Sequence, residues 1–439
     1  MLTNNNEKLR KQTEWHYLIG NLKHGAMAVA ASPPKAAAYM IVILILSVLY
    51  LAYGELWGTE TATVADRLTV LVVKVTYPII MLFALPCSLL IFGIPRGAKD
   101  SIQGFKRIGL VNRAGETPLL LRVSRDKACP RVLIMEYDSR GIPAKKWEDM
   151  CAEIEAILNM TLLKVVEGND KRTIRAYVIP ASVKLPDKID WRDAYLPKDN
   201  FSLALGESLL GRETVNLATI PHMLLGGSTG SGKSVLLRLL LYQARRKGAL
   251  VFIADFKGGI DFGAYWHDMT DIIVDIDTLI IKLDSLVAEL ERRKRLLKES
   301  DAKNIDEHNA KSSNHLRRIV FACDEVAEVL DKTGLDKAQK EAIAKVEAAL
   351  STIARQGRAM GIHLILATQR PDANVIPGQI KANIDCRICG RADNTLSIII
   401  LDNADANDKI PKDARGRFLR NDGTVFQGYW FDDSMLEGW

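Results

Sequence analysis

At 439 residues, 48% hydrophobic and 26% charged, the chain has apolar material for two or three cored domains, which excludes the disordered and low-complexity classes. A formal charge of +6 is too small at this length to identify a nucleic-acid or lipid surface by itself. The cysteines at 87, 129, 151, 323, 386 and 389 are scattered, without the even framework of a small secreted protein, and this points to a reducing compartment without disulfides.

Residues 1–35 form a basic arm carrying Lys8, Arg10, Lys11, Lys23 and Lys35. No charge interrupts Ala36–Gly54 or Val75–Pro95. At about 1.5 Å per residue each run is long enough to cross a hydrocarbon core as a helix. Lipid offers backbone groups no partners, so residues 36–95 are expected to be a transmembrane hairpin with spans at 36–54 and 75–95, the second kinked at Pro78 and Pro86. Arg96, Lys99, Lys106 and Arg107 follow the second run, whereas the turn between the spans holds Glu55, Glu60 and Asp66 against Arg67. Basic flanks stay on the cytoplasmic side, so a two-span membrane protein is expected, with both termini and everything beyond residue 96 in the cytoplasm.

Residues 96–200 alternate short apolar runs with one amphipathic stretch. Strands are expected at Leu119–Val123, Arg131–Met135 and Thr173–Ile179, and a helix at Trp147–Leu158. This small α/β adaptor domain shows no catalytic constellation and reads as a spacer or oligomerisation module. From residue 201 to 439 buried strands are followed by helices, the pattern of a mostly parallel sheet covered on both faces.

The strand His222–Leu225 runs into Gly227-Ser228-Thr229-Gly230-Ser231-Gly232-Lys233-Ser234, and a helix follows from Val235. That is G-x-x-x-x-G-K-S in the strand–loop–helix setting of a phosphate loop. Its glycines let backbone N–H groups curl around phosphate oxygens, Lys233 reaches the β and γ phosphates, and Ser234 ligates magnesium, so ATP and Mg2+ are the expected cofactors. About ninety residues on, the buried strand Arg318–Cys323 ends in Asp324-Glu325. Asp324 is the expected second magnesium residue and Glu325 the base that orients and deprotonates the attacking water. A third strand, Ile362–Thr368, ends in Gln369-Arg370, which places Gln369 where it can sense the γ-phosphate; His363 is expected to pack inside the sheet. Cys386 and Cys389 sit three apart on an expected strand, so their side chains point to opposite faces and cannot share a metal.

These residues carry a family resemblance. Pro221–Val235 resembles the phosphate-loop region of FtsK/SpoIIIE motors, and Asp255-Phe256-Lys257-Gly258-Gly259 stands where that family has D-P-K-G. Ala354–Pro371 and Ile380–Ile384 are similar too, and the likeness covers about residues 204–428. It implies a RecA-like P-loop motor, preceded by a small α/β adaptor and here by a two-helix membrane hairpin, that assembles as a homo-hexamer with ATP between subunits. An arginine from the neighbour completes such a site; Arg358 matches that position best, with Arg355 and Arg391 as alternatives. The family's DNA-facing loop would contain Arg370 and Lys381, touching phosphates without reading bases.

Septal members of the family have four spans, a long linker and a C-terminal winged-helix domain, whereas this chain has two expected spans and ends at Trp439. The layout resembles the TcpA-like coupling proteins of Gram-positive conjugative elements, which implies a relaxase and mating-channel proteins as partners and leaves single- or double-stranded DNA open. The alternatives are a septal-type chromosome or plasmid DNA pump, or the ATPase of a type VII-like protein secretion system. The latter usually carry several motors per chain, and here there is a single phosphate loop.

Overall fold

The computed structural model describes residues 33–55, 63–93, 98–127, 129–168, 170–370 and 376–436, with isolated positions between 19 and 30. Most of the basic arm, Glu60, Arg96 and Pro371 lie outside these residues. The chain divides into two units, Met1–Val183 and Lys184–Trp439.

In the first unit the two apolar runs form helices α1 (Pro33–Glu55) and α2 (Val64–Gly93). Windows of each, Pro33–Leu51 and Lys74–Ile91, are long and apolar enough to cross a membrane, and their side chains are unburied by the protein. The helix continues through Pro78 and Pro86 rather than ending at either. Tyr77 joins the two helices, its hydroxyl donating to the Leu46 carbonyl and its ring lying 5.0 Å from that of Tyr50.

After α3 (Ala98–Arg107) come β1 (Leu119–Arg125), β2 (Leu133–Asp138), α4 (Ala144–Asp149), α5 (Cys151–Leu158), β3 (Met160–Glu167) and β4 (Thr173–Pro180). The strands pair antiparallel in the order β1-β2-β4-β3. Ile174, Ala176 and Val178 alternate along β4 and point to one face, where Phe105, Tyr137 and Trp147 pack together, Phe105 edge to face with Trp147 and both rings tilted against Tyr137. The single helix expected over 147–158 is two, because Met150 leaves helical geometry at φ −110°, ψ 25°.

The second unit holds β5 (Ile189–Asp190), β6 (Ser202–Ser208), β7 (Gly211–Asn216), β8 (His222–Gly226), α6 (Lys233–Arg246), β9 (Leu250–Ala254), α7 (Ala264–Met269), β10 (Asp271–Ile273), α8 (Ile276–Glu299), α9 (Ile305–Lys311), β11 (Ile319–Cys323), α10 (Val326–Leu330), α11 (Lys337–Met360), β12 (Ile362–Thr368), α12 (Gly378–Lys381), β13 (Cys386–Cys389), α13 (Asn394–Leu401), α14 (Asp405–Lys409), β14 (Arg417–Arg420) and β15 (Val425–Trp430). They form one mixed sheet in the order β10-β9-β11-β12-β8-β13-β14-β15-β6-β7, with β5 on β15. It is parallel from β10 to β13 and antiparallel from there to β7, while the short β5 pairs parallel with β15. The expectation of a mostly parallel sheet therefore describes only the half that carries the site. Residues 184–200, expected with the adaptor, belong to this unit, because β5 pairs with β15 and Trp191 is buried in its core.

Two cores cover the sheet. Phe321, Cys323, Leu364 and Leu366 face one, packed by α8, α11 and α13, while Val320, Ala322, Ile365 and Ala367 face the other, packed by α6. Each buried aliphatic side chain contributes about 1.5–3 kcal/mol, so the strand ends above these cores are held firmly. Cys386 and Cys389 fall in different cores, as their spacing requires.

Candidate nucleotide site

The parallel strands bring their carboxyl ends to one edge of the sheet, and β12 lies between β8, which feeds the phosphate loop, and β11, which ends in Asp324-Glu325. Gly232 precedes α6 at φ 99°, a left-handed geometry where a Cβ would also meet the Gly416 Cα at 3.0 Å. The loop is braced from the neighbouring strand: the Ser228 N–H donates to the Arg391 carbonyl at 2.7 Å, and the Arg391 guanidinium donates back to the Thr229 carbonyl at 2.8 Å. Gly227, Ser228, Thr229, Gly230, Ser231, Gly232, Lys233, Ser234 and Val235 thus run as expected from β8 into α6, whose N-terminal N–H groups and dipole favour an anion.

Lys233 is buried and donates through Nζ to Oδ1 of Asp324 and to its carbonyl, both at 2.7 Å. Lys257 approaches Oδ2 of Asp324 at 3.5 Å and Asp261 at 3.1 Å. Burial works to raise the Asp324 carboxyl, but the charge and hydrogen bond of Lys233 and the charge of Lys257 outweigh it and hold Asp324 below the usual carboxylate range. Asp255 stands beside Asp324 because Ala254 and Cys323 are in register. Burial raises its carboxyl, and Oδ2 is buried without a hydrogen-bond partner among the described residues.

Glu325 is tied to the end of β12: the Thr368 hydroxyl donates to Oε1 at 2.6 Å and the Gln369 N–H to Oε2 at 2.9 Å. Gln369 in turn accepts through Oε1 from the Thr229 hydroxyl at 3.0 Å, so the phosphate loop and Glu325 are joined through one residue. Lys233, Asp324, Glu325 and Gln369 therefore meet at one edge: a cation and backbone donors for phosphates, and carboxylates for a metal and a water.

Arg358 is elsewhere. It lies at the end of α11, just before β12 begins, exposed and without a side-chain partner among the described residues. A seven-residue strand separates it from Gln369, roughly 20 Å at about 3.3 Å per residue. Arg355, on the same helix, donates to the Ser351 carbonyl, while Arg391 grips the phosphate loop of its own chain. Arg370 is half exposed, 3.8 Å from Asp331, whereas Lys381 binds Asp402 at 2.6 Å, so each has its own acidic neighbour. His363 is packed in the sheet as expected, its Nε2 accepting from the Arg318 guanidinium at 3.2 Å and its Nδ1–H donating to the Pro221 carbonyl at 3.1 Å.

Sequence reasoning placed Thr229 in the phosphate loop without its bond to Gln369, missed Thr368 as a site residue, and gave Asp255 and Lys257 no role. The D-x-K motif after β9 was the one signal for the last two; Thr368 becomes visible only once β11 and β12 are known to be neighbours.

Residues 191–373 match the FtsK/SpoIIIE family. The DNA translocase FtsK of Campylobacter jejuni is 37% identical over 218 residues, which are 47% of this chain and 22% of that protein. That of Helicobacter pylori is 35% identical over 214 residues, covering 46% and 24%. The matched region spans about a quarter of those relatives' length. The solved structure of the pCW3 conjugation coupling protein TcpA, a monomer form with ATPgS, is 35% identical and covers 78% of this chain and 97% of that one, with a TM-score of 0.58. With the P-loop fold, the family match and a relative covered almost end to end, the chain belongs to the FtsK/SpoIIIE family.

Proposed function

We propose that the chain is an ATP-driven, sequence-independent DNA translocase anchored in the cell membrane by α1 and α2, acting as a homo-hexamer that delivers DNA to a conjugative channel. The observation that carries the reading is the convergence of Lys233, Asp324, Glu325 and Gln369 on one edge of a P-loop sheet in a chain 78% of which is similar to the solved chain of a conjugation coupling protein. Ser234 and Asp324 offer hard oxygen donors, and beside Asp324 stands Asp255, whose Oδ2 has no partner among the described residues, so these residues fit a magnesium ion. Magnesium would supply charge neutralisation at the β and γ phosphates. Lys233 compensates the same charge, Glu325 takes the proton of the attacking water, and Gln369 reports whether the phosphate loop is filled.

Arg358, remote from its own site, serves a neighbouring subunit in this reading, with residues 96–183 as adaptor between anchor and motor. A relaxase and mating-channel proteins are the partners this reading implies, and Arg370 and Lys381 the DNA contacts. The test is displacement of a triplex-forming oligonucleotide from duplex DNA by the full chain in detergent micelles. Displacement is expected with ATP and lost in Lys233→Ala. A preparation that hydrolyses ATP yet never displaces the third strand would sink the translocase reading.

A further inference from the structure

We propose that Thr368 is a positioning residue that latches Glu325 against β12, and that contact of Arg370 with DNA releases this latch and so raises hydrolysis. The inference rests on the translocase reading and names its coupling device.

Both oxygens of the Glu325 carboxylate are engaged by a single strand end, Oε1 by the Thr368 hydroxyl at 2.6 Å and Oε2 by the Gln369 N–H at 2.9 Å. The Thr368 oxygen itself accepts from the Arg370 N–H at 3.2 Å. Two consecutive residues therefore hold one buried carboxylate, and the third holds the hydroxyl of the first. A water-activating base has to turn a lone pair toward water, and short charge-assisted bonds oppose that turn. The same three residues are the ones that leave the sheet. Thr368 is 1% exposed, whereas the Arg370 side chain is 50% exposed and reaches only a loose 3.8 Å pairing with Asp331. Gln369 between them holds Thr229 of the phosphate loop. The backbone that carries the Arg370 side chain is the backbone whose N–H groups bond Glu325 and Thr368, so a pull of DNA on Arg370 that shifts this backbone acts on those bonds first. Drawing on Arg370 thus loosens Glu325 with no longer pathway required.

The experiment measures ATP turnover of the full chain in detergent micelles, with and without duplex DNA, for the wild type, Thr368→Val and Thr368→Ser. Valine keeps the shape and removes the hydroxyl. A lost hydrogen bond to a charged group shifts an equilibrium by about tenfold, so basal turnover of Thr368→Val should rise by up to that factor while stimulation by DNA shrinks toward one. Serine, which keeps the hydroxyl, should behave as wild type. Lower turnover in Thr368→Val with the stimulation ratio intact would mean that the bond places Glu325 productively, and would overturn the latch; so would no change. If the valine variant fails to bind nucleotide, amide exchange in the wild type decides: the Gln369 and Arg370 amides should be protected without DNA and lose protection with it, and unchanged protection overturns the proposal. A wild type that hydrolyses ATP but ignores DNA removes the translocase reading and the latch together, whereas a stimulated wild type beside an inert Thr368→Val removes the latch alone.

Discussion

The two edges of the motor sheet both bury ionisable groups, yet they use them differently. At the amino edge of the strands, Arg318 binds Asp306 at 2.6 Å and His363 at 3.2 Å, and Phe201 lies under its guanidinium. Arg293 bonds Glu289 and the carbonyls of Met360 and Arg317, all within 2.8 Å. His222 accepts the Leu364 N–H at 2.9 Å and is kept neutral by burial. At the carboxyl edge the bonds link groups of different elements, Lys233 to Asp324 and Glu325 to Thr368, and an Asp255 oxygen is left over. Buried charge alone does not mark a site. The amino edge ties its cations to fixed protein acceptors, as a structural network does, whereas the carboxyl edge combines a glycine loop, a cation and carboxylates whose partners phosphate, metal and water can replace.

That contrast can be broken by substitution. The largest effect is expected at the carboxyl edge: Glu325→Gln should lower ATP turnover at least about a hundredfold while nucleotide still binds, measured by single-turnover hydrolysis and nucleotide affinity on one preparation. At the amino edge Arg293→Met should cost about 3 kcal/mol of stability, because it strands the carbonyls of Met360 and Arg317 while Glu289 keeps Arg292, yet leave turnover per folded molecule unchanged. Chemical denaturation beside active-site titration checks this, and a catalytic loss without a stability loss would reverse the assignment of the edges.

A smaller effect is expected from pH. Burial lowers the His222 pKa from 6.5 to about 4, so the unfolded chain binds the extra proton first as pH falls. The stabilisation is complete above about pH 6.5 and is lost on acidification toward pH 4, on the order of 1 kcal/mol by pH 5.5. His222→Asn should flatten this slope in melting curves taken between pH 7.5 and 5.5; an unchanged slope would place the acid sensitivity elsewhere.

Much of the carboxyl edge was legible because its chemistry is local. A phosphate loop needs glycines, Lys233 and Ser234 in one short run after a strand, and the second element needs Asp324-Glu325 at the end of another. The links between these runs were not legible, since they depend on strand order. Thr368 reaches Glu325 because β12 pairs with β11, and Arg391 reaches Thr229 because β13 pairs with β8. The antiparallel half escaped for another reason: β14 has four residues and β7 reads Gly-Arg-Glu-Thr-Val-Asn, too short or too polar to show a period. Placement of residues 184–200 likewise turned on the two-residue pairing of Ile189–Asp190 with Tyr429–Trp430.

The most direct test of the central claim, that the carboxyl edge hydrolyses ATP for movement on DNA, is turnover by the full chain with and without duplex DNA across a salt series. Contacts to phosphates release counterions, so stimulation should be independent of sequence and fall steeply as salt rises, and Arg370→Ala should reduce the log–log slope of DNA binding by about one. An assembled preparation that hydrolyses ATP but neither binds DNA nor responds to it at low salt would contradict the account.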